Sequence, residues 1–408
     1  MSVAARLRLL VLCIALLAAG VPAGLASKDL PSAKPEEVGL SSERLARMGK
    51  AIHSYVDAGR TPGVVTLIAR HGKVVHLDAY GKADLATGRP TRTDDLFRMY
   101  SMTKLITSVA LLTLYEEGKF QLTDPLSRFY PAFADVKVGT GPAPDGAMKL
   151  EPPRRPITIQ DVFRHTAGFS YEPSLLDTNL TDLMEKLPKR PLLYHPGDRW
   201  VYSVSHDVQA ALVEKLSGQP FDAFVRQRIF TPLGMTDSMF KIPAEKAGRL
   251  PTLYVRGRDG MLSLDTSEPG RTYGEKVFGG HSVSTTASDY ALFAQMLLNK
   301  GQLHGTRILG PKTVELMATN HLPAAVMASG GIGSGTGYGL GVSVLMDPAQ
   351  KANIGSVGEY GWSGAASTHV LIDPKEDLVA IYCTQLMLGE PALRAEFATL
   401  LYQSIVEN

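Results

Sequence analysis

The chain reads as an α+β protein: an antiparallel sheet flanked by helices, with an all-α lobe inserted into it. Three observations predict this. Strand-like runs gather near the two ends of the sequence, helical periodicity fills the middle, and a helix stands outside each strand group. A cleft between the two lobes is the expected place for a site.

Ahead of these elements, residues 1–26 read as an export signal. Arg6 and Arg8 precede an apolar run from Leu9 to Ala19, and small residues end near Ala26. The run is too short for a comfortable membrane span, and no later stretch is long and apolar enough for a stable one. The mature chain is therefore expected to be soluble and exported, periplasmic or secreted. Of the two cysteines only Cys383 then remains, which excludes an internal disulfide and a thiol-ligated zinc site. Lys and Arg number 42 against 40 Asp and Glu, a formal charge of +2, so neither nucleic acid nor an anionic membrane is an expected partner. The length beyond the signal exceeds what one core usually takes. The catalytic unit is expected over 38–405, with an α/β lobe from 38–101 plus 326–405 and a helical lobe from 102–325.

The elements follow in order. Ser41 to Ala58 carries Leu45, Met48, Ile52 and Tyr55 at helical spacing behind a serine cap. Val64 to Ala69 and Val74 to Tyr80 read as strands joined at Arg70-His71-Gly72-Lys73. From Leu105 to Leu114 the residues are apolar on nearly every side, the mark of a helix inside a domain, and Gly118 is its natural stop. His206 to Leu216, Phe221 to Ile229 and Ala287 to Leu298 continue the helical pattern. Tyr338 to Met346, Ser367 to Ile372 and Leu378 to Cys383 read as strands, with a turn at Asp373 to Asp377, and Ala392 to Val406 as a closing helix. The glycine-rich run Gly330 to Gly341 fits no phosphate-loop spacing and leads into a strand, so it reads as a flexible loop.

Ser101-Met102-Thr103-Lys104 sits at the mouth of the apolar helix. Positions i and i+3 share a helix face, so hydroxyl and amine can meet. A serine hydroxyl needs an adjacent base, and a lysine serves as one only where burial or nearby cations depress its pKa. A second copy, Ser238-Met239-Phe240-Lys241, runs into Pro243 and is read as a chance match. The segment Trp200 to Val204, after the turn Pro196-Gly197-Asp198, alternates like a short extended stretch. Its Tyr202 is either a packing aromatic or a group entering the cleft to share a proton with Lys104. Glu359 to Ala365, before a strand, is either a glycine-rich turn or a place where the backbone approaches a ligand and offers an oxyanion donor.

Taken together, the order and separation of these three elements resemble the serine β-lactamase and penicillin-binding superfamily. The likeness is closest to class C β-lactamases and the family VIII carboxylesterases, and it runs from about Val38 to the C-terminus. Phe97-Arg98-Met99-Tyr100, Arg164-His165-Thr166-Ala167-Gly168, Pro232-Leu233-Gly234-Met235 and Tyr338-Gly339-Leu340-Gly341 are similar to the same family. The resemblance implies a β-lactamase/transpeptidase-like fold with Ser101 as acylated nucleophile and Lys104 and Tyr202 carrying the proton. It also implies an oxyanion hole from the amides of Ser101 and Ala365, substrate contacts at Trp362, Ser363 and Gly364, and no cofactor or metal. Desolvation on the apolar helix is expected to leave Lys104 neutral enough to take the serine proton. The pair titrates jointly, so the base is not assigned to one member.

Two positions depart from the superfamily. Val204 stands where lactamases and peptidases carry an asparagine, and Trp362 where they carry lysine or histidine. Both remove polar recognition of a β-lactam or peptide and leave an apolar wall. The expectation is a serine esterase acting on a small-molecule ester. The alternatives are a β-lactamase or D,D-peptidase acting on an amide, and an acyl-binding or acyl-transferring relative. The chain holds no G-x-S-x-G elbow and no H-E-x-x-H, and His165, His195, His206 and His281 lack ligand spacing. His165 is a candidate for positioning a loop near the site.

Overall fold

The computed structural model describes residues 29–142, 145–176, 179–266 and 276–407. The export signal read over 1–26 lies outside them. After helix α1 (Ser42–Asp57) come strands β1 (Gly63–Arg70) and β2 (Lys73–Gly81), and then the buried helix α2 (Thr103–Glu116). The middle of the chain supplies α3 (Ile159–Phe163), α4 (Ser205–Ser217) and α5 (Ala287–Leu298). Strands β3 (Thr336–Tyr338), β4 (Ser343–Leu345), β5 (Tyr360–Gly364), β6 (Thr368–Asp373) and β7 (Leu378–Cys383) follow, and α6 (Pro391–Tyr402) closes the chain.

The seven strands form one sheet in the order β3-β4-β5-β6-β7-β1-β2, with every neighbouring pair antiparallel. The N-terminal hairpin thus docks on the last strand, Val65 opposite Cys383 and Ala69 opposite Val379. Side chains alternate across β1: Val65, Leu67 and Ala69 join the core that holds α2 and α5, while Val64 and Ile68 pack with Met48 and Ile52 of α1 and Leu393 and Phe397 of α6. Every residue of β1 is buried because helices cover both faces. Arg70, 1% exposed, donates to the carbonyls of Val38, Glu376 and Glu407, and so ties both termini to the sheet.

The helical lobe is not wholly α. It carries two hairpins, Val138–Pro142 with Met148–Glu151 and Tyr254–Arg256 with Leu262–Leu264, and Tyr254–Arg256 also pairs in parallel with Leu386–Met387 from the C-terminal part of the chain. Strands this short hold too few residues for alternation to register. The strand expected from Tyr338 to Met346 is instead the hairpin of β3 and β4. It reverses through Gly341, where φ is +90° and a Cβ would collide with the Ser108 hydroxyl. Among the described residues no helix is long and apolar enough to cross a membrane.

Candidate active site

A two-residue strand, Phe97–Arg98, pairs with Ser284–Thr285 and delivers the chain to a tight helical turn, Tyr100–Met102, that runs directly into α2. Tyr100 adopts φ +45°, a conformation disfavoured for a residue with a Cβ, so the position before Ser101 is strained. Burial of the Tyr100 ring beside Leu253 and Ala366 holds it there.

Ser101 Oγ accepts hydrogen bonds from Lys104 Nζ at 3.1 Å and from Tyr202 OH at 2.7 Å. Lys104 is 0% exposed. Its ammonium also donates to the Gly280 carbonyl at 2.8 Å and lies 4.6 Å from the centre of the Tyr202 ring. Burial pulls the lysine pKa down, but the charges of Tyr202, Tyr171 and Asp207 outweigh it and place it above its ordinary value. This corrects the expectation of a neutral amine: the apolar helix supplies desolvation, and groups from other elements restore the charge.

His165 holds Tyr202 in place. Its carbonyl accepts from Val201 N at 3.1 Å and its Nδ1 from Ser203 N at 3.2 Å, so the residues on both sides of the tyrosine are anchored to one histidine. Nδ1 acts as acceptor, which puts the ring proton on Nε2. Burial, then the charge of Lys104, keeps this imidazole well below its usual pKa and hence neutral. The Tyr202 ring lies between Tyr171 and Trp362, each 5.7 Å away, and Trp362 Nε1 donates to Tyr202 OH at 3.4 Å.

Of the two readings open for Glu359 to Ala365, a glycine-rich turn or an extended backbone that approaches a ligand, the structure has the extended one: Tyr360–Gly364 is strand β5. Its neighbour β4 pairs only with Tyr360 and Gly361, so from Trp362 onward that edge is open. Leu388 N donates to Ala365 O at 2.9 Å and Ser367 N to Gly364 O at 3.1 Å, fixing the bend that follows. The Ala365 amide has no acceptor among the described residues. Ser101 stands in the opening turn of a helix, where N–H groups lack intrahelical partners.

Ser101, Tyr202, Trp362, Ser363, Gly364 and Ala365 line one cavity of about 720 Å³. Trp200 and Ile332 extend its apolar wall, while Ser363 Oγ meets His369 Nδ1 at 2.9 Å and accepts from Arg394 at 3.3 Å. Val204 is 0% exposed within the core and does not line the cavity, so the apolar wall owes nothing to that substitution. The second S-x-x-K is outside any helix: Ser238 Oγ bonds Asp289 and Thr285, and Lys241 is exposed.

Asp207 and Gly280 escaped the sequence reading. Asp207 Oδ1 accepts from Gly280 N at 2.8 Å, and Gly280 O accepts from Lys104. An aspartate in the first turn of a helix is too ordinary a preference to stand out. Among the described residues no group of three or more His, Cys, Asp or Glu is placed to hold a metal ion.

The Beta-lactamase family profile matches residues 48–403. Protein Rv1367c of Mycobacterium tuberculosis is 33% identical over 359 residues, covering 82% of this chain and 88% of that protein. The lovastatin esterase of Penicillium rubens is 29% identical, covering 84% of this chain and 93% of its own. The unliganded selenomethionyl structure of simvastatin synthase (LovD) from Aspergillus terreus superposes with a TM-score of 0.80 at 25% identity, covering 90% of this chain and 100% of that one. With a profile spanning most of the sequence, a relative named as an esterase and an architecture shared almost end to end, the chain belongs to the Beta-lactamase family and is a serine hydrolase on the penicillin-binding/β-lactamase fold.

Proposed function

We propose that the protein is an exported serine esterase that cleaves small carboxylic esters through an acyl-enzyme on Ser101. One observation carries this reading: Ser101 Oγ accepts from both Lys104 and Tyr202, and Trp362, at the position where lactamases and peptidases carry lysine or histidine, stacks 5.7 Å from the Tyr202 ring, while the cations of the cavity, Lys351 and Arg394, stand elsewhere in its wall. With one proton first lost from the Ser101–Lys104–Tyr202 set, the Ser101 hydroxyl turns to donate to the Tyr202 oxygen, Oγ attacks the ester carbonyl carbon and its proton passes to that oxygen. Lys104, already an ammonium, has no vacancy for that proton, and together with the Trp362 N–H it stabilises the negative charge the transfer requires. The amides of Ser101 and Ala365 hold the oxyanion. The ester C–O bond then breaks, and the leaving alkoxide takes the proton from Tyr202. Water adds to the acyl carbon by the same route in reverse, releasing the acid and restoring Ser101. An alcohol in place of water turns the same step into acyl transfer, a reading supported by the likeness to simvastatin synthase. On this reading the catalytic unit is the 38–405 region, and the segment 1–26 directs export.

Short-chain nitrophenyl esters test the proposal. Wild type should hydrolyse them, and Ser101→Ala should lose at least about 10³-fold in kcat/KM. Turnover of a chromogenic cephalosporin should remain far slower than that of the ester. Full activity in Ser101→Ala defeats the proposal, and fast cephalosporin turnover replaces it with a lactamase.

A further inference from the structure

Lys104 is a cation withdrawn entirely from water, and such a charge is tolerated only with compensation. Its hydrogen-bond partners, the Ser101 hydroxyl, the Gly280 carbonyl and Tyr202, include no carboxylate. Beyond Gly280 stands Asp207, 1% exposed, whose Oδ1 accepts the Gly280 N–H and whose Oδ2 has no partner among the described residues. Two glycines let the loop reach this depth. A Cβ on Gly279 would collide with the His206 carbonyl oxygen, and one on Gly280 would stand 2.9 Å from Asp207 Oδ2. Thr107 Oγ1, one turn along α2 from Lys104, donates to Gly279 O at 2.7 Å and fixes the loop from the other side. Carboxylate, loop and amine therefore form one packed unit that joins α4 to α2.

We propose that Asp207 is a positioning residue for the chemistry at Ser101: its carboxylate supplies the counter-charge to Lys104 and, through the Gly280 backbone, holds the amine against the serine. The inference rests on the esterase reading for its kinetic part and on geometry alone for the rest. Burial raises Asp207 to about 6 even against the pull of Lys104, so the carboxylate is ionised at neutral pH but only by a modest margin. The other groups facing the pair are the phenols of Tyr202 and Tyr171 and the imidazoles of His165 and His206, both of which burial keeps neutral. His281, next in the loop, stacks on Phe278.

Asp207→Asn separates charge from shape, since the amide oxygen still accepts from Gly280 N. Ester hydrolysis by this variant should show kcat lowered by about 10- to 100-fold with KM within about twofold, as for an interaction acting on the chemical step. Without its anionic partner the lysine sheds its proton more easily, so the alkaline limb of the kcat/KM profile should move about one pH unit or more downward. A stability cycle supplies a second readout. Asp207→Asn should lower Tm sharply while Lys104 is present and far less in the Lys104→Met background, where no buried cation is left unpaired. Where the single variant does not fold, the double variant should. An unchanged kcat with an unmoved alkaline limb overturns the proposal, as does an equal Tm loss in both backgrounds. Failure of the esterase reading would show instead as ester hydrolysis that survives Ser101→Ala, and it leaves the stability cycle intact.

Discussion

Gly364 shows how little room separates the sheet from the nucleophile. A Cβ there would collide with the Met99 carbonyl oxygen and the Thr368 hydroxyl, two residues ahead of Ser101 and on the neighbouring strand. Gly364→Ala must push β5 away from the turn and carry the Ala365 amide with it. A displacement of about 1 Å in an oriented site is enough to cost about 10²-fold, so kcat/KM for a nitrophenyl ester should fall by that order. Retained activity would place the oxyanion donor elsewhere. At this scale the sequence disclosed what lies close along the chain. Ser101 and Lys104 share a helix face, and their meeting needs no tertiary information. The charge on Lys104 is not legible locally, because it depends on Tyr202, Tyr171 and Asp207, which arrive from separate segments. Residue identity predicts desolvation better than it predicts company.

Elements tell the same story through length. Long patterned segments, α1, β1, β2, α2, β6 and β7, appear close to their expected bounds because each repeats its period several times. Glycines at 337, 339, 341, 361 and 364 interrupt the pattern, so the sequence predicts one strand where the β3–β4 hairpin stands and leaves β5 open between a turn and an extended backbone. The five-residue helix α3 is short enough to need external support, and Asp161 supplies it. Thr158 and Asp161 form a reciprocal cap, while the carboxylate also accepts from Arg155 at 2.9 Å and Arg164 at 3.1 Å. Burial opposes ionisation of Asp161, but these donors prevail and lower its pKa to about 2. Because the depressed value lies below that of an unfolded aspartate, the stabilisation is fully present above about pH 4 and fades only as pH falls through 2. Asp161→Ala should therefore cost about 3–5 kcal/mol at pH 7, measured by urea unfolding, because two arginines lose a buried partner. A cost under about 1 kcal/mol would mean the network contributes nothing. The helix leads straight into His165, so the same variant should also loosen Tyr202.

For the whole molecule, the buried histidines set the response to acid. Burial holds His165 and His206 well below the usual imidazole pKa and His369 at about 3, with smaller depressions at His76 and His321. An unfolded histidine binds a proton below about pH 6.5 while these remain neutral, so the unfolded state gains protons first and stability drops as pH falls. Each fully depressed histidine removes about 1.4 kcal/mol per pH unit, or about 2 kcal/mol by pH 5. Asp207 and Asp289 work the other way. Raised to about 6 by burial, both take up protons in the folded state before the unfolded one does, and they return part of the loss between pH 6 and 4. The expected profile is a plateau above about pH 7, a fall beginning near 6.5, and a shallower slope below 6 where the carboxylates offset the imidazoles. Urea midpoints measured from pH 8 to pH 5 check this directly. His206→Gln removes one imidazole whose two ring nitrogens both lack partners among the described residues. It should flatten the initial fall by about one histidine's share, whereas an unaltered slope would assign the acid sensitivity to other groups.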